Sequence, residues 1–264
     1  MTMWIARIRS RGRTIGRAAA ALAIVLCAAA AQAQPADPCA VPGYLLFGDS
    51  KLERVAAAVM NDKALRIAVL GGASSTLPGQ DGATFAYPAR LEVALRRRLP
   101  GIKVSVRVEL RNRQSAEEMT ESIDKLLVDD KPNLVIWQTG TYEATRGTDP
   151  EEFRAAVSDG VEKLQSGGAD VVLMNMQYSP RTESVVAVGA YAEAIRWVAR
   201  EREVPVYDRL AIMRHWYDAG QFDLYAATKD MKTARAVHDC IGRTLASSII
   251  EAAHLGSREG QTPR

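Results

Sequence analysis

The hydrophobic positions of this chain fall into short runs, separated by longer stretches in which apolar residues return every three or four positions. The runs are LRIAVLGG (65–72), KVSVRVELRN (103–112), PNLVIWQTG (132–140), ADVVLMNMQY (169–178) and VPVYDR (204–209). LVIW and VVLM are nearly unbroken, the pattern of strands buried on both faces. KVSVRVELRN alternates instead, with Val104, Val106, Val108 and Leu110 set against polar neighbours, the pattern of a strand with one exposed face.

Between these runs the periodicity predicts helices. YPARLEVALRRRLPG stops at Pro100-Gly101. SAEEMTESIDKLLVDD opens on Ser115 with Glu118 three residues on, a capping box. DPEEFRAAVSDGVEKLQSGG has Asp149 as cap, Pro150 at its first position and acids in its first turn. Further helices are expected over 185–202, in LAIMRHWYDAG and in ARAVHDCIGRTLASSIIEAAH. Strands alternating with helices imply one three-layer α/β/α domain whose parallel sheet is covered on both faces. In such sheets ligands bind at the C-terminal strand ends. The α/β domain is assigned to 65–255, an N-terminal arm to 34–64 and a loose polar tail to 256–264.

The first 33 residues read differently. Arg7, Arg9, Arg11, Arg13 and Arg17 stand without an acid, an apolar stretch follows, and Ala31-Gln32-Ala33 offers a small-residue cleavage site. This is the order of a secretory signal peptide cleaved after Ala33, so a periplasmic or secreted protein without a membrane span is expected. Of 34 basic and 31 acidic residues, the leader takes five Arg and no acid, leaving 29 against 31, a net of −2. The basic pI therefore belongs to the leader, and nucleic acid is excluded as the expected partner. Cys27 leaves with the leader, and the remaining pair, Cys39 and Cys240, is expected to form a disulfide in an oxidising compartment. Two distant cysteines and three scattered histidines build no metal cluster, and no cofactor is implied.

Two apolar runs break into turns carrying serine. YLLFGDS places Ser50 in the arm, before the alternation begins. LRIAVLGGASST places Ser74, Ser75 and Thr76 after the first strand of the sheet, where reactive loops gather. The second is the favoured nucleophile loop.

These features resemble the SGNH (GDSL-type) hydrolases over 65–253. That family has a flavodoxin-like five-stranded parallel sheet and four sequence blocks. They supply a nucleophilic Ser, an oxyanion Gly, an oxyanion Asn and an Asp-x-x-His before the last helix. Gly72-Ala73-Ser74-Ser75-Thr76 resembles the first block, so Ser74 matches the nucleophile, and YPARL and WQTG also look like exported members. The chain departs from the pattern elsewhere. Ala73 replaces Asp, Arg113 or Gln114 replaces the oxyanion Gly, and Gly140-Thr141-Tyr142-Glu143 puts Tyr142 in place of the Asn. Lys232 falls near the expected His.

A serine needs a base within hydrogen-bond reach. His238 is the candidate nearest the last block, either with Asp230 as its acid or as a structural helix histidine. Lys232 is the alternative base if burial lowers its pKa. Backbone N–H groups of Ser74 or Ser75, the Tyr142 hydroxyl and the Arg113 guanidinium are candidate oxyanion donors beside Gly140, while Glu143 reads as a surface acid. Gln138, Asn175 and Gln177 read as residues that satisfy buried polar contacts. The resemblance implies an exported serine esterase or acyl transferase acting on small acyl esters, O-acetyl groups of envelope glycans among them. The departures leave open an inactive relative that binds a glycan or anionic ligand, or an envelope protein that binds a protein partner. Oligomeric state leaves no trace in the sequence.

Overall fold

The structure, a computed structural model, describes residues 37–226 and 231–255. The expected signal peptide, Asp230 and the expected tail lie outside them. The strands are β1 (Ala64–Gly71), β2 (Lys103–Leu110), β3 (Leu134–Gln138), β4 (Asp170–Met174) and β5 (Val206–Tyr207), paired in parallel in the order β2-β1-β3-β4-β5. Every residue of β3 is buried, as expected of LVIWQ, whereas the edge strand β2 exposes Val108 and Leu110.

The helices are α1 (Glu53–Ala57), α2 (Gly82–Phe85), α3 (Tyr87–Arg98), α4 (Ala116–Glu121), α5 (Ile123–Asp130) and α6 (Thr141–Arg146). After them come α7 (Pro150–Ser166), α8 (Pro180–Glu183), α9 (Gly189–Glu201), α10 (Arg209–Asp218) and α11 (Lys232–Ala252). Right-handed crossovers place α3 on one face, and α4, α5, α7 and α9 on the other, because the chain reverses direction across the sheet after β2. α11 packs on α3 so closely that a Cβ on Gly242 would lie 2.6 Å from Arg90 Cβ and 2.7 Å from Leu91 N.

Both expected caps form. Ser115 and Glu118 close a reciprocal box, and Asp149 accepts from Glu151 N–H. The helix expected over 115–130 is broken at Ser122, whose hydroxyl donates to Met119 C=O at 2.7 Å and competes with the helical ladder. The helix expected from 185 begins at Gly189, after the separate turn α8. The last helix starts earlier than expected, so Lys232 sits on its first turn and not in a loop.

The arm is part of the core. Cys39, Phe47, Leu52, Val55 and Val59 are buried in the main apolar cluster. Cys39 and Cys240 are joined in a disulfide, Leu52 N–H donates to Ala252 C=O, and Asp37 pairs with Arg243. Asp170, at the start of β4, accepts from Val55 N–H in α1 at 2.9 Å. Among the described residues no helix is long and apolar enough to cross a membrane.

Candidate active site

The sheet order reverses between β1 and β3, so the connections leaving their C-terminal ends run to opposite faces of the sheet and leave a crevice. Gly71 and Gly72 end β1, and Ala73–Ser75 then turn in a single 3₁₀ step closed by Ser75 N–H on Gly72 C=O at 2.9 Å. This turn sends the two serines in different directions. Ser75 is buried, donates to Gln138 Oε1 at 2.5 Å and lies 3.2 Å from the Tyr87 hydroxyl. Ser74 lines the cavity, and its Oγ accepts from Gln138 Nε2 at 2.7 Å and from Arg209 Nη1 at 3.4 Å. One amide thus bridges both serines. A Cβ on Gly71 would lie 2.4 Å from Ser75 Oγ, so glycine is needed there.

Arg209 escaped the sequence reading. It follows the two-residue strand β5, is 0% exposed, and donates through Nη1 to Ser74 C=O at 3.1 Å. Nη2 reaches Gln177 Oε1 at 3.4 Å, the Tyr87 ring centroid lies 5.7 Å from its Cζ, and Nε has no partner. The neighbouring carboxylate, Asp208, is committed elsewhere: it takes Ala211 N–H, Asn175 Nδ2 and Arg196 Nε. Burial lowers the Arg209 pKa from its ordinary value. Its only sequence signal was its place at the end of the fifth strand.

His238 lines the same cavity, but its Nδ1 accepts Tyr87 N–H at 2.9 Å. A neutral imidazole accepting at Nδ1 carries its proton on Nε2, so it offers a donor there. Burial first, and then the positive charge of Arg209, push its pKa down to about 3. Asp239 pairs with Arg90 and does not orient the imidazole. Asp230, the expected acid, lies outside the described residues. Lys232 is exposed and is not among the cavity-lining residues, so it lacks the burial a lysine base requires.

The cavity encloses about 610 Å³, within the range of small-molecule sites, and Arg113, Gly140 and Tyr142 also line it. Arg113 is exposed, with φ at +62°. Gly140, at φ +95°, starts α6, and a Cβ there would meet Met176 Sδ at 2.6 Å. Ser75 does not line the cavity, and its backbone N–H is spent on Gly72, so the oxyanion role expected of it has no free donor. Glu143 is not a surface acid: it is 1% exposed, and Oε1 accepts Ala116 N–H at 2.5 Å. Burial raises its pKa, and Oε2 is left without a partner. Ser50 lies in a second cleft with Asp170, toward the opposite end of the sheet. Among the described residues, no group of three or more His, Cys, Asp or Glu is placed to hold a metal ion.

A five-stranded parallel sheet in this order, with a serine on the loop after β1, defines an α/β fold of the SGNH hydrolase type. A model of the Non-GDSL lipase-like family matches residues 38–255, and the chain belongs to that family. Among solved structures, TesA aligns with a TM-score of 0.57 at 16% identity, over 71% of this chain and 99% of its own. Axe2, an acetylxylan esterase from Geobacillus stearothermophilus, aligns at 0.54 and 16%, over 71% of this chain and 94% of its own. A two-domain esterase (CEX) active on acetylated mannans aligns at 0.62 and 14%, over 83% of this chain and 58% of its own. At these identities the likeness is one of fold. No curated protein sequence matches the chain.

Proposed function

We propose that this protein is a serine ester hydrolase, or an acyl transferase, in which Ser74 Oγ is the nucleophile. The observation that carries the reading is the environment of that oxygen. It sits on the loop at the switch point of the sheet and receives two donors, one of them cationic. Hydrogen bonds to an oxygen and a nearby positive charge both favour its ionised form, so they lower the pKa of the hydroxyl. Ser74 Oγ adds to the acyl carbon as its proton passes through solvent water to the alcohol oxygen, and the acyl–oxygen bond breaks to release the alcohol. Water or a second alcohol then takes the acyl group and returns a proton to Ser74 Oγ. Tyr142 O–H and the Arg113 guanidinium, both in the cavity lining, are the proposed donors to the oxyanion. With Nδ1 occupied by Tyr87 N–H, His238 as arranged donates through Nε2 and does not serve as the base. The substrate class proposed is a small acyl ester, with O-acetyl groups of glycans favoured by the structural neighbours Axe2, an acetylxylan esterase, and CEX, active on acetylated mannans. A periplasmic or secreted setting fits the leader pattern and the disulfide.

The same His238 geometry favours a second reading, a relative that binds its ligand without turnover. The discriminating experiment compares the chain lacking residues 1–33 with its Ser74→Ala variant on p-nitrophenyl acetate and an O-acetylated glycan. Hydrolysis by the first and a loss of at least about 10³-fold in the second is expected. Equal rates in both proteins would remove Ser74 as nucleophile and leave binding.

A further inference from the structure

The Arg209 guanidinium is fully buried, makes no ion pair among the described residues, and leaves one N–H unsatisfied directly behind Ser74. Arginine stays charged in proteins, so it cannot escape the cost of burial by neutralising. Buried charges are ordinarily paired. Among the described residues no carboxylate is bonded to it. Asp208 serves Arg196 and the α10 cap, Glu143 takes Ala116 N–H through Oε1 and leaves Oε2 unpartnered, and Asp223 takes the N–H groups of Tyr225 and Ala226. The one imidazole nearby accepts Tyr87 N–H at Nδ1 and is neutral. Ser74 Oγ accepts from two sides, which directs its own hydrogen away from Gln138 and Arg209. Around Ser74 the cavity therefore presents donors backed by a cation that no described carboxylate pairs.

We infer that the cavity over Ser74 binds an oxyanion carried by its substrate, a carboxylate or a phosphate, with Arg209 as the counter-charge. The inference rests on Ser74 being the place where substrate sits, and it holds whether or not the bound molecule is turned over. Arg209 acts through Ser74, as a positioning residue whose field reaches the ligand in a low-dielectric site. Such a residue costs the empty protein stability and returns it when the anion binds.

That trade gives a test a purely structural arginine would fail. Thermal unfolding of the full chain and of Arg209→Met is followed in sodium phosphate, sodium acetate and sodium chloride at equal ionic strength. The wild type is expected to gain about 4 °C, saturably, in phosphate or acetate at about ten times the Kd. Comparison of those two arms separates a phosphate-bearing from a carboxylate-bearing ligand. Arg209→Met is expected to show no such gain, and in chloride to melt at or above the wild-type temperature. Overturning results are no saturable shift in the wild type, a shift that survives in Arg209→Met, or a lower melting temperature of that variant in chloride. Should Arg209→Met not fold, Arg209→Lys and Arg209→Gln replace it. The shift must then persist with lysine and vanish with glutamine; equal shifts in both would sink the inference. Ser74-dependent hydrolysis without an anion effect would defeat this inference alone. An anion effect without Ser74-dependent hydrolysis would defeat the hydrolase reading alone.

Discussion

At the scale of single residues, the site depends on which way two adjacent serines face. Gly71 leaves room for Ser75 Oγ, Ser75 holds the Gln138 carboxamide oxygen, and the amide nitrogen is thereby turned toward Ser74. His238 carries a prediction at this scale. Its pKa in the fold is about 3 against 6.5 ordinarily, so the native state binds fewer protons than the unfolded chain between those values. The contribution is fully present above pH 6.5 and is lost as pH falls toward 3, on the order of 4 kcal/mol at the acid end. Denaturant unfolding from pH 7 to pH 4 should show this loss, and His238→Asn, which keeps an acceptor for Tyr87 N–H, should show a shallower acid slope. An unchanged slope would mean that the imidazole is not held neutral. Ser74 was legible in the sequence because a turn after the first strand marks it. Gln138 was legible as a buried polar contact, but not which serines it touches. Arg209 and Glu143 were not legible as site residues, because nothing in a local pattern says that a charged side chain is buried. From the sequence Glu143 reads as a surface acid for that reason.

At the scale of elements, hydrophobic periodicity located all five strands and the major helices, since each buries a continuous run or stripe. It did not locate the break at Ser122 or the separate turn at 180–183, where side-chain bonds and packing decide. The join between α1 and β4 also lay beyond pattern reading. It depends on Asp170, whose carboxyl is pushed up to about 6, chiefly by burial and against the N–H bonds of Val55 and Arg54. Its native pKa exceeds the unfolded value of 3.8, so the protonated form is favoured by the fold and stability is lost as pH rises through about 6. The full shift corresponds to about 3 kcal/mol, which partial exposure reduces to about 1–2 kcal/mol. Asp170→Asn keeps an oxygen for Val55 N–H and removes the charge. Its melting temperature should exceed that of the wild type at pH 7.5 and match it near pH 4; a lower value at pH 7.5 would show that the carboxylate is the stabilising form.

At the scale of the whole molecule, the disulfide joins positions 201 residues apart in the sequence. The pairing was legible because only two cysteines lie beyond residue 33, whereas the packing of the arm into the core was not, its short apolar runs having no clear period. Closing so long a loop restricts the unfolded chain and should contribute about 4–5 kcal/mol in the chain-entropy model. Cys39→Ser/Cys240→Ser should therefore lower the denaturant midpoint strongly with Ser74 chemistry intact, and a reductant should do the same to the wild type alone. If the midpoint stays put, residual structure in the reduced unfolded chain already supplies the restriction. The bridge also makes most of the backbone a closed hoop whose seam runs from Cys39 to Cys240, beside the Leu52–Ala252 contact. One protease cut inside that hoop, in the β1 loop or anywhere else on it, leaves two fragments still held as one covalent body. A nicked molecule would keep its mass under oxidising conditions and come apart only where thiols are abundant, so the compartment, more than the protease, would decide whether the damage is lethal to the fold.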